Sequence, residues 1–237
     1  MLIYLDLETT GLEPKDRLCA FGMIGVEGES VTTHYDLVKP PKKISPEAMS
    51  VHHITNEMVK EMPPFSDTES AKWLQKHNTP DTVLLGHNIG FDLSMLQKEG
   101  VVWQGGIIDT LKCTRHLIEE CDQYGLQYLR YELGLYKDEA AEAKKLNIDL
   151  KAHDALSDAY HVKKLHDYLA DMADVERLLE LTVERTLITK FAFGKYKGRY
   201  IEEIAMNDRG YLEWMLNEMF DMDEDLRYSV EYFLRSV

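Results

Sequence analysis

The stretch Tyr4–Leu12, YLDLETTGL, sets two carboxylates inside an apolar run at the start of the chain. Tyr4, Leu5 and Leu7 read as a buried strand, and Asp6 and Glu8 interrupt it two residues apart. Strand side chains repeat every two residues, so both acids point to the same face. Side by side they repel each other and are costly to desolvate. The cost largely disappears if they bind a divalent cation, and oxygen-only ligands suit Mg²⁺ or Mn²⁺. The plainer alternative is an Asp serving a turn, with Glu8 exposed to solvent. Thr9-Thr10-Gly11 then supplies a tight turn with hydroxyls and backbone N–H groups close to the acids.

Outward from this strand, taken as Leu2–Leu7, further strands are predicted at Leu18–Val26 and Ser30–Val38 around a turn at Gly28. The opening is thus a three-stranded meander, ended by Pro40-Pro41. Short helices are predicted over Pro46–Met49 and Asn56–Met62, and a longer one over Asp67–His77. Thr82–Leu85 reads as a buried strand closed by Gly86, and Ile89–Glu99 as a helix. Ile107-Ile108 is a fifth strand ending at Asp109. Helical patterns occupy Thr110–Glu120 and Leu126–Leu133, and the charged, alanine-rich Lys137–Lys151 reads as exposed. Asp154 can cap a helix running to about Met172 with the stripe Ala155, Ala159, Val162, Leu165 and Leu169. Alternating strands and helices imply an α/β sheet covered on both faces.

The texture changes after Thr186. Lys190–Tyr200, KFAFGKYKGRY, interleaves basic residues with aromatics, and helical patterns follow around Leu212 to Met219 and Leu226 to Leu234. The expected division is a main domain over 1–173 and a small second module over 186–237.

The chain has 237 residues, 44% hydrophobic and 29% charged, enough for one good core with a small appendage. A net charge of −15 argues against binding nucleic acid by general electrostatics, though not against gripping a short end locally. Three cysteines without a CxxC pair suit a reducing compartment. The acids at Asp6 and Glu8 break the N-terminal apolar run, which reads as neither signal peptide nor membrane span. The expectation is a cytoplasmic protein with no membrane association.

More acid stands where an α/β site would hold it. Gly86–Asp92, GHNIGFD, places Asp92 in the first turn of a helix, at the carboxyl end of a strand. Taken alone, Asp92 is explained as well by the helix dipole. His153–Asp158, HDALSD, puts Asp158 beside the apolar stripe, facing the body of the protein. Alone, such a His and Asp are more often surface or capping groups.

Together, LDLETTG, GHNIGFD and HDALSD resemble, in order and spacing, the three motifs of the DEDDh group of DnaQ-like exonucleases. Ser45–Thr55, SPEAMSVHHIT, resembles the linker these enzymes carry between their first and second motifs. The resemblance covers about residues 1 to 170. It implies a ribonuclease-H-like mixed β-sheet flanked by helices, with a small C-terminal α+β module appended. It also implies a catalytic set of Asp6, Glu8, Asp92, His153 and Asp158. The implied reaction is hydrolysis of a 3′-terminal phosphodiester with two divalent ions, Mg²⁺ or Mn²⁺. Asp6, Glu8 and Asp158 would hold one ion, and Asp6 the second more loosely, with Asp92 completing the site through water. His153 would be the general base, since imidazole titrates near neutral pH.

By the same resemblance Thr9, Thr10, Gly11 and Leu12 contact the terminal nucleotide, with Leu12 able to wedge against the last base. Asn88 and His87 either reach the phosphate or serve the Gly86 turn, and one of His52 and His53 approaches the nucleotide, with His53 taken as the candidate. Phe193–Ala205 with Asp208–Leu216 resembles the C-terminal segment of exodeoxyribonuclease X-like proteins. Lys190, Lys195, Tyr196, Lys197 and Arg199 are candidate DNA contacts. The alternative is a hairpin with its aromatics inward and a solvated basic face. GKYKGR lacks the spacing of a P-loop.

The activity expected is that of a 3′→5′ exodeoxyribonuclease in DNA repair or end processing. An RNA-trimming enzyme with the same site, a polymerase-associated proofreading subunit and a non-catalytic DNA-end binder stay open beside it. A mixed sheet with an open edge would also admit a homodimer.

Overall fold

The computed structural model describes residues 1–118 and 121–237. Its centre is a five-stranded sheet in the order β3-β2-β1-β4-β5. The strands are β1 (Leu2–Thr9), β2 (Leu18–Glu27), β3 (Ser30–Leu37), β4 (Val83–Gly86) and β5 (Gly106–Asp109). The first three pair antiparallel, as a meander joined by short turns must, while β1–β4 and β4–β5 are parallel. The sheet is therefore mixed, with β1 at its middle.

Between β3 and β4 run α1 (Pro46–His52), α2 (Asn56–Val59) and α3 (Glu69–His77), and α4 (Gly90–Lys98) joins β4 to β5. Then follow α5 (Thr110–Leu117), α6 (Leu126–Glu132), α7 (Glu139–Lys145), α8 (Ala155–Ala170) and α9 (Val175–Val183). The chain closes with α10 (Ile201–Asn207), α11 (Arg209–Glu218) and α12 (Glu224–Ser236). No helix among the described residues is long and apolar enough to cross a membrane.

Alternation along β1 divides the core in two. Ile3, Leu5 and Leu7 pack with Phe21 and Met23 against Ala71 and Leu74 of α3 and Met95 and Leu96 of α4. Tyr4 points the other way, with Ile24, Leu85 and Ile108, onto Tyr160, Val162 and Leu165 of α8. Asp6 and Glu8 continue the Tyr4 face, so the two acids look towards α8. Their partners across the ladder are small: Asp6 stands opposite Gly22 and Glu8 opposite Ala20. A Cβ on Gly22 would lie 2.2 Å from the Leu156 backbone nitrogen and 2.4 Å from the Ala155 carbonyl carbon. The missing side chain is what lets the start of α8 descend onto the sheet beside the acids.

A further core is formed by Phe191, Ile201, Ile204, Leu212, Met215, Val230 and Phe233. In this C-terminal part, strand pairing is reduced to a single antiparallel bridge between Lys190 and Tyr200. Asp225, buried at the start of α12, ties it to α5 by accepting a bond from Arg115 at 3.3 Å and pairing with Lys112 at 3.7 Å. Asp225 also accepts from the Thr186 amide at 3.0 Å.

Several elements differ from their expected extents. The helix expected to Met62 ends at Val59, because Pro63-Pro64 disfavours helical geometry just before it. Lys137–Lys151 is not simply exposed: it contains α7, with Glu139, Ala143 and Ile148 buried. Helices α9 and α10 were not anticipated. The helix expected over Thr110–Glu120 runs from Thr110 to Leu117, and residues 119–120 lie outside the described residues.

Candidate active site

Three elements converge at the end of β1. Asp6, Glu8 and Asp158 each offer a carboxylate oxygen, and these oxygens all lie within 4.8 Å of one another. Asp158 is in the first turn of α8, started by Asp154, whose Oδ1 accepts from the Ser157 amide at 3.1 Å. Asp92 is buried in the first turn of α4 and stands outside the close trio, yet its charge acts on both Asp6 and Glu8.

The electrostatics of the cluster are one-sided. Burial pushes Asp6 well above the usual carboxylate range, and Asp92, Asp158, Glu8 and Asp154 push it further. Burial raises Glu8 to about 8, aided by Asp158, Asp154 and Asp92. Burial likewise raises Asp92 to about 8, against the lowering pull of backbone amides. Oxygen donors this close, with the ionisation of Asp6 and Glu8 disfavoured, fit a hard divalent cation, which would relieve the repulsion. The trio can hold such an ion, and Asp92 and Asp154 add negative field around it.

Three of the four non-glycine residues with positive φ among the described residues are His53 (φ 61°), Asn88 (φ 62°) and His153 (φ 52°). All three are sequence-predicted site residues, and sparsely populated backbone geometry concentrates at functional positions. His153 is exposed, immediately before the Asp154 cap.

The loop after β1 is held firmly. Thr9 Oγ1 donates to the Gly11 carbonyl at 2.8 Å. Thr10 is buried and donates to Asp16 Oδ1 at 2.7 Å, and the Glu13 amide donates to Asp16 Oδ2 at 2.7 Å. Burial alone would raise Asp16, but Lys42, the Thr10 hydroxyl and the Glu13 amide outweigh it and hold the acid at about 2. A Cβ on Gly11 would meet Asp16 Oδ2 at 2.7 Å, so the turn needs glycine. The result is a pinned loop whose tip, Leu12, is 84% exposed.

The linker histidines divide. His52 is buried, with Nδ1 accepting from the Ile54 amide at 3.0 Å, which leaves Nε2–H to donate to the Thr9 carbonyl at 3.1 Å. His53 faces solvent at the end of α1. His87 bonds Thr110 Oγ1 at 3.0 Å and the Tyr124 carbonyl at 2.8 Å, and burial lowers it to about 4. His87 thus serves the turn, while Asn88 is exposed and its backbone N–H donates to Asp109 Oδ1 at 2.9 Å.

The basic-aromatic stretch belongs to the C-terminal part. Lys195 pairs with Asp208 at 3.1 Å, Lys190 with Asp122 at 3.5 Å, and Arg199 with Glu203. Tyr196 donates to Asp208, and Lys197 is exposed. Lys190 and Phe193, with Arg115 and Arg185, line a cavity of about 420 Å³ along the seam with α5.

Sequence reasoning missed Gln127 of α6, whose Nε2 donates to Asp158 Oδ1 at 2.6 Å. It also missed the field that Asp154 adds beside its capping role. A glutamine in a short helix carries no motif, and only the packing of α6 on α8 reveals it.

Comparison with known proteins follows the same lines. Residues 3–165 match the family model described as Exonuclease, and residues 191–219 the one described as Exodeoxyribonuclease X-like C-terminal. The chain is 30% identical over 246 residues to Exodeoxyribonuclease 10 of Escherichia coli (strain K12), covering 100% of each. It is 24% identical over 223 residues to a PolC-type DNA polymerase III of Staphylococcus epidermidis, covering 88% of this chain and 14% of that one. Among solved structures, Exonuclease X in complex with 5′ overhanging duplex DNA matches with a TM-score of 0.58 and 25% identity, over 77% of this chain and 99% of that one. E. coli Exonuclease I in complex with a dA16 oligonucleotide matches in fold with a TM-score of 0.55 and 21% identity, over 76% of this chain and 42% of that one.

Proposed function

The chain belongs to the exonuclease family, and on that premise we propose that it is a 3′→5′ exodeoxyribonuclease whose working site is the Asp6–Glu8–Asp158 cluster. The single observation that carries the reading is the convergence of these three carboxylates on one face of β1. DNA is favoured as substrate because the full-length relative is named an exodeoxyribonuclease and the matching Exonuclease X structure is in complex with 5′ overhanging duplex DNA.

Asp6, Glu8 and Asp158 would hold one divalent ion, Mg²⁺ or Mn²⁺, and Asp6 with Asp92 would serve a second. When bound, such ions supply charge neutralisation at the scissile phosphate and an acidified water. His153 accepts the proton from the attacking water, its exposed ring standing beside the α8 cap. Leu12 packs on the terminal base from its pinned loop, an apolar contact tolerant of sequence, with Gly11 beside it. Thr9 and Thr10, expected to touch the nucleotide, are instead buried and spend their hydroxyls on the Gly11 carbonyl and Asp16, so they hold the loop rather than the substrate. Asn88 and His53 flank the entry. Lys190, Lys195, Lys197, Arg199 and Tyr196 meet the backbone farther along, where phosphate replaces the acids Asp122, Asp208 and Glu203 now paired with three of them. The C-terminal module, 186–237, is the DNA-holding part of a two-domain chain whose exonuclease domain is 1–173.

The test is degradation of 3′-free and 3′-blocked single-stranded DNA and RNA of matched sequence with Mg²⁺, Mn²⁺ or chelator, beside Asp92→Ala. The expected result is metal-dependent loss of nucleotides from free DNA 3′ ends, absent in the variant. Faster trimming of RNA would reassign the substrate, and retained binding without cleavage would remove the enzymatic reading.

A further inference from the structure

We propose that Gln127 is a positioning residue for Asp158, a neutral hydrogen-bond donor that holds this carboxylate in the orientation needed to bind a divalent ion. The proposal rests on the metal-site reading above and names a residue that lies in none of its motifs.

The geometry is a chain of contacts behind Asp158. Gln127 Nε2 donates to Asp158 Oδ1 at 2.6 Å. The orientation of the Gln127 amide is itself determined, because its Oε1 accepts from Arg130 Nη1 at 2.9 Å. A flipped amide would set its oxygen against a carboxylate and its NH₂ against a guanidinium. Arg130 is held in turn by a two-pronged ion pair with Glu139, through Nε at 2.7 Å and through Nη2. His161, one turn along α8, packs into the same cluster, with Nδ1 3.4 Å from both Asp158 Oδ1 and Gln127 Nε2. Asp158, Glu139 and His161 are all buried.

The choice of residue has an electrostatic reason. A cation touching Asp158 would neutralise it and compete with the metal. Here the positive charge of Arg130 is matched by Glu139, and glutamine lies between it and Asp158. Through Gln127, orientation is transmitted to the ligand by a neutral donor. With Oδ1 held by Gln127, the Asp158 carboxylate is fixed in one rotamer. Partners of this kind behind a metal ligand typically change metal affinity by about 10- to 100-fold.

The experiment is a Mn²⁺ titration of the full chain without nucleic acid, following free Mn²⁺ by electron paramagnetic resonance, with the thermal midpoint of the metal-free protein measured in parallel. Gln127→Met keeps the volume and removes the donor. Its expected Mn²⁺ affinity is about 10- to 100-fold weaker, with the metal-free midpoint close to that of the parent chain. Arg130→Met, which frees the Gln127 amide to turn, should weaken Mn²⁺ in the same direction and serves if Gln127→Met does not fold. Mn²⁺ affinity within twofold of the parent in a folded variant overturns the positioning role and leaves the metal site standing. A parent chain that binds no Mn²⁺, or binds it equally as Asp6→Asn, overturns the metal-site reading and this inference with it.

Discussion

Glu8 and Asp92, both held at about 8 by burial among other acids, make the metal-free protein sensitive to pH in a definite direction. Their folded pKa lies above the unfolded value, so the unfolded chain ionises first. The stability they contribute is complete below about pH 4 and is lost as pH rises towards about 8. His87, lowered to about 4, acts oppositely, but only below the ordinary imidazole value. The window from about pH 7 to 8 therefore isolates the acids. In EDTA the thermal midpoint should fall across it, each kcal/mol being worth about 2–4 °C at this size. Mn²⁺ should restore the midpoint more at pH 8 than at pH 7. A midpoint that rises with pH in EDTA would contradict the electrostatics of the cluster. His153 yields a separate test: His153→Ala should lower kcat by about 10²- to 10⁴-fold while the Kd for DNA stays within about twofold. Equal losses in both would make it a binding residue.

Among the elements, the contact of β2 with the start of α8 governs the site. Gly22→Ala inserts a methyl where the Leu156 nitrogen already stands 2.2 Å from the Cβ position. Such crowding costs about 1–3 kcal/mol, read by urea denaturation, and should weaken Mn²⁺ binding as Asp158 is pushed away from Asp6. A variant as stable as the parent, binding Mn²⁺ equally well, would show that this close approach is dispensable. The same contact explains what was legible in sequence. Alternation in YLDLETTGL put Asp6 and Glu8 on one face, and the α8 stripe turned Asp158 inward, because both follow from local periodicity. Glu139 was read as exposed because its burial depends on Arg130 and on packing against α8. Helix α10, seven residues long, is too short for its three buried positions to make a recognisable stripe. The hairpin alternative for Lys190–Tyr200 shrinks to one bridge because Gly194 (φ 73°) and Gly198 (φ 80°) turn the chain repeatedly.

At the scale of the molecule, a chain of net charge −15 must hold a polyanion through a few local cations. Those of the C-terminal part are mostly exposed, and Lys190, Lys195 and Arg199 are paired with acids, so binding should be weak and steeply salt-dependent. Replacing Lys195 and Lys197 together by Ala should weaken DNA binding uniformly across sequences. It should also reduce the slope of log K against log salt by about 2. An unchanged slope would move the DNA path away from this module. The wide sequence spacing of the trio has a consequence for the cell that makes the protein. Asp6 and Glu8 are synthesised long before Asp158, and their oxygens meet only after α8 has docked on the sheet. A nascent or prematurely terminated chain that lacks α8 therefore carries two of the three carboxylates and an incomplete cluster.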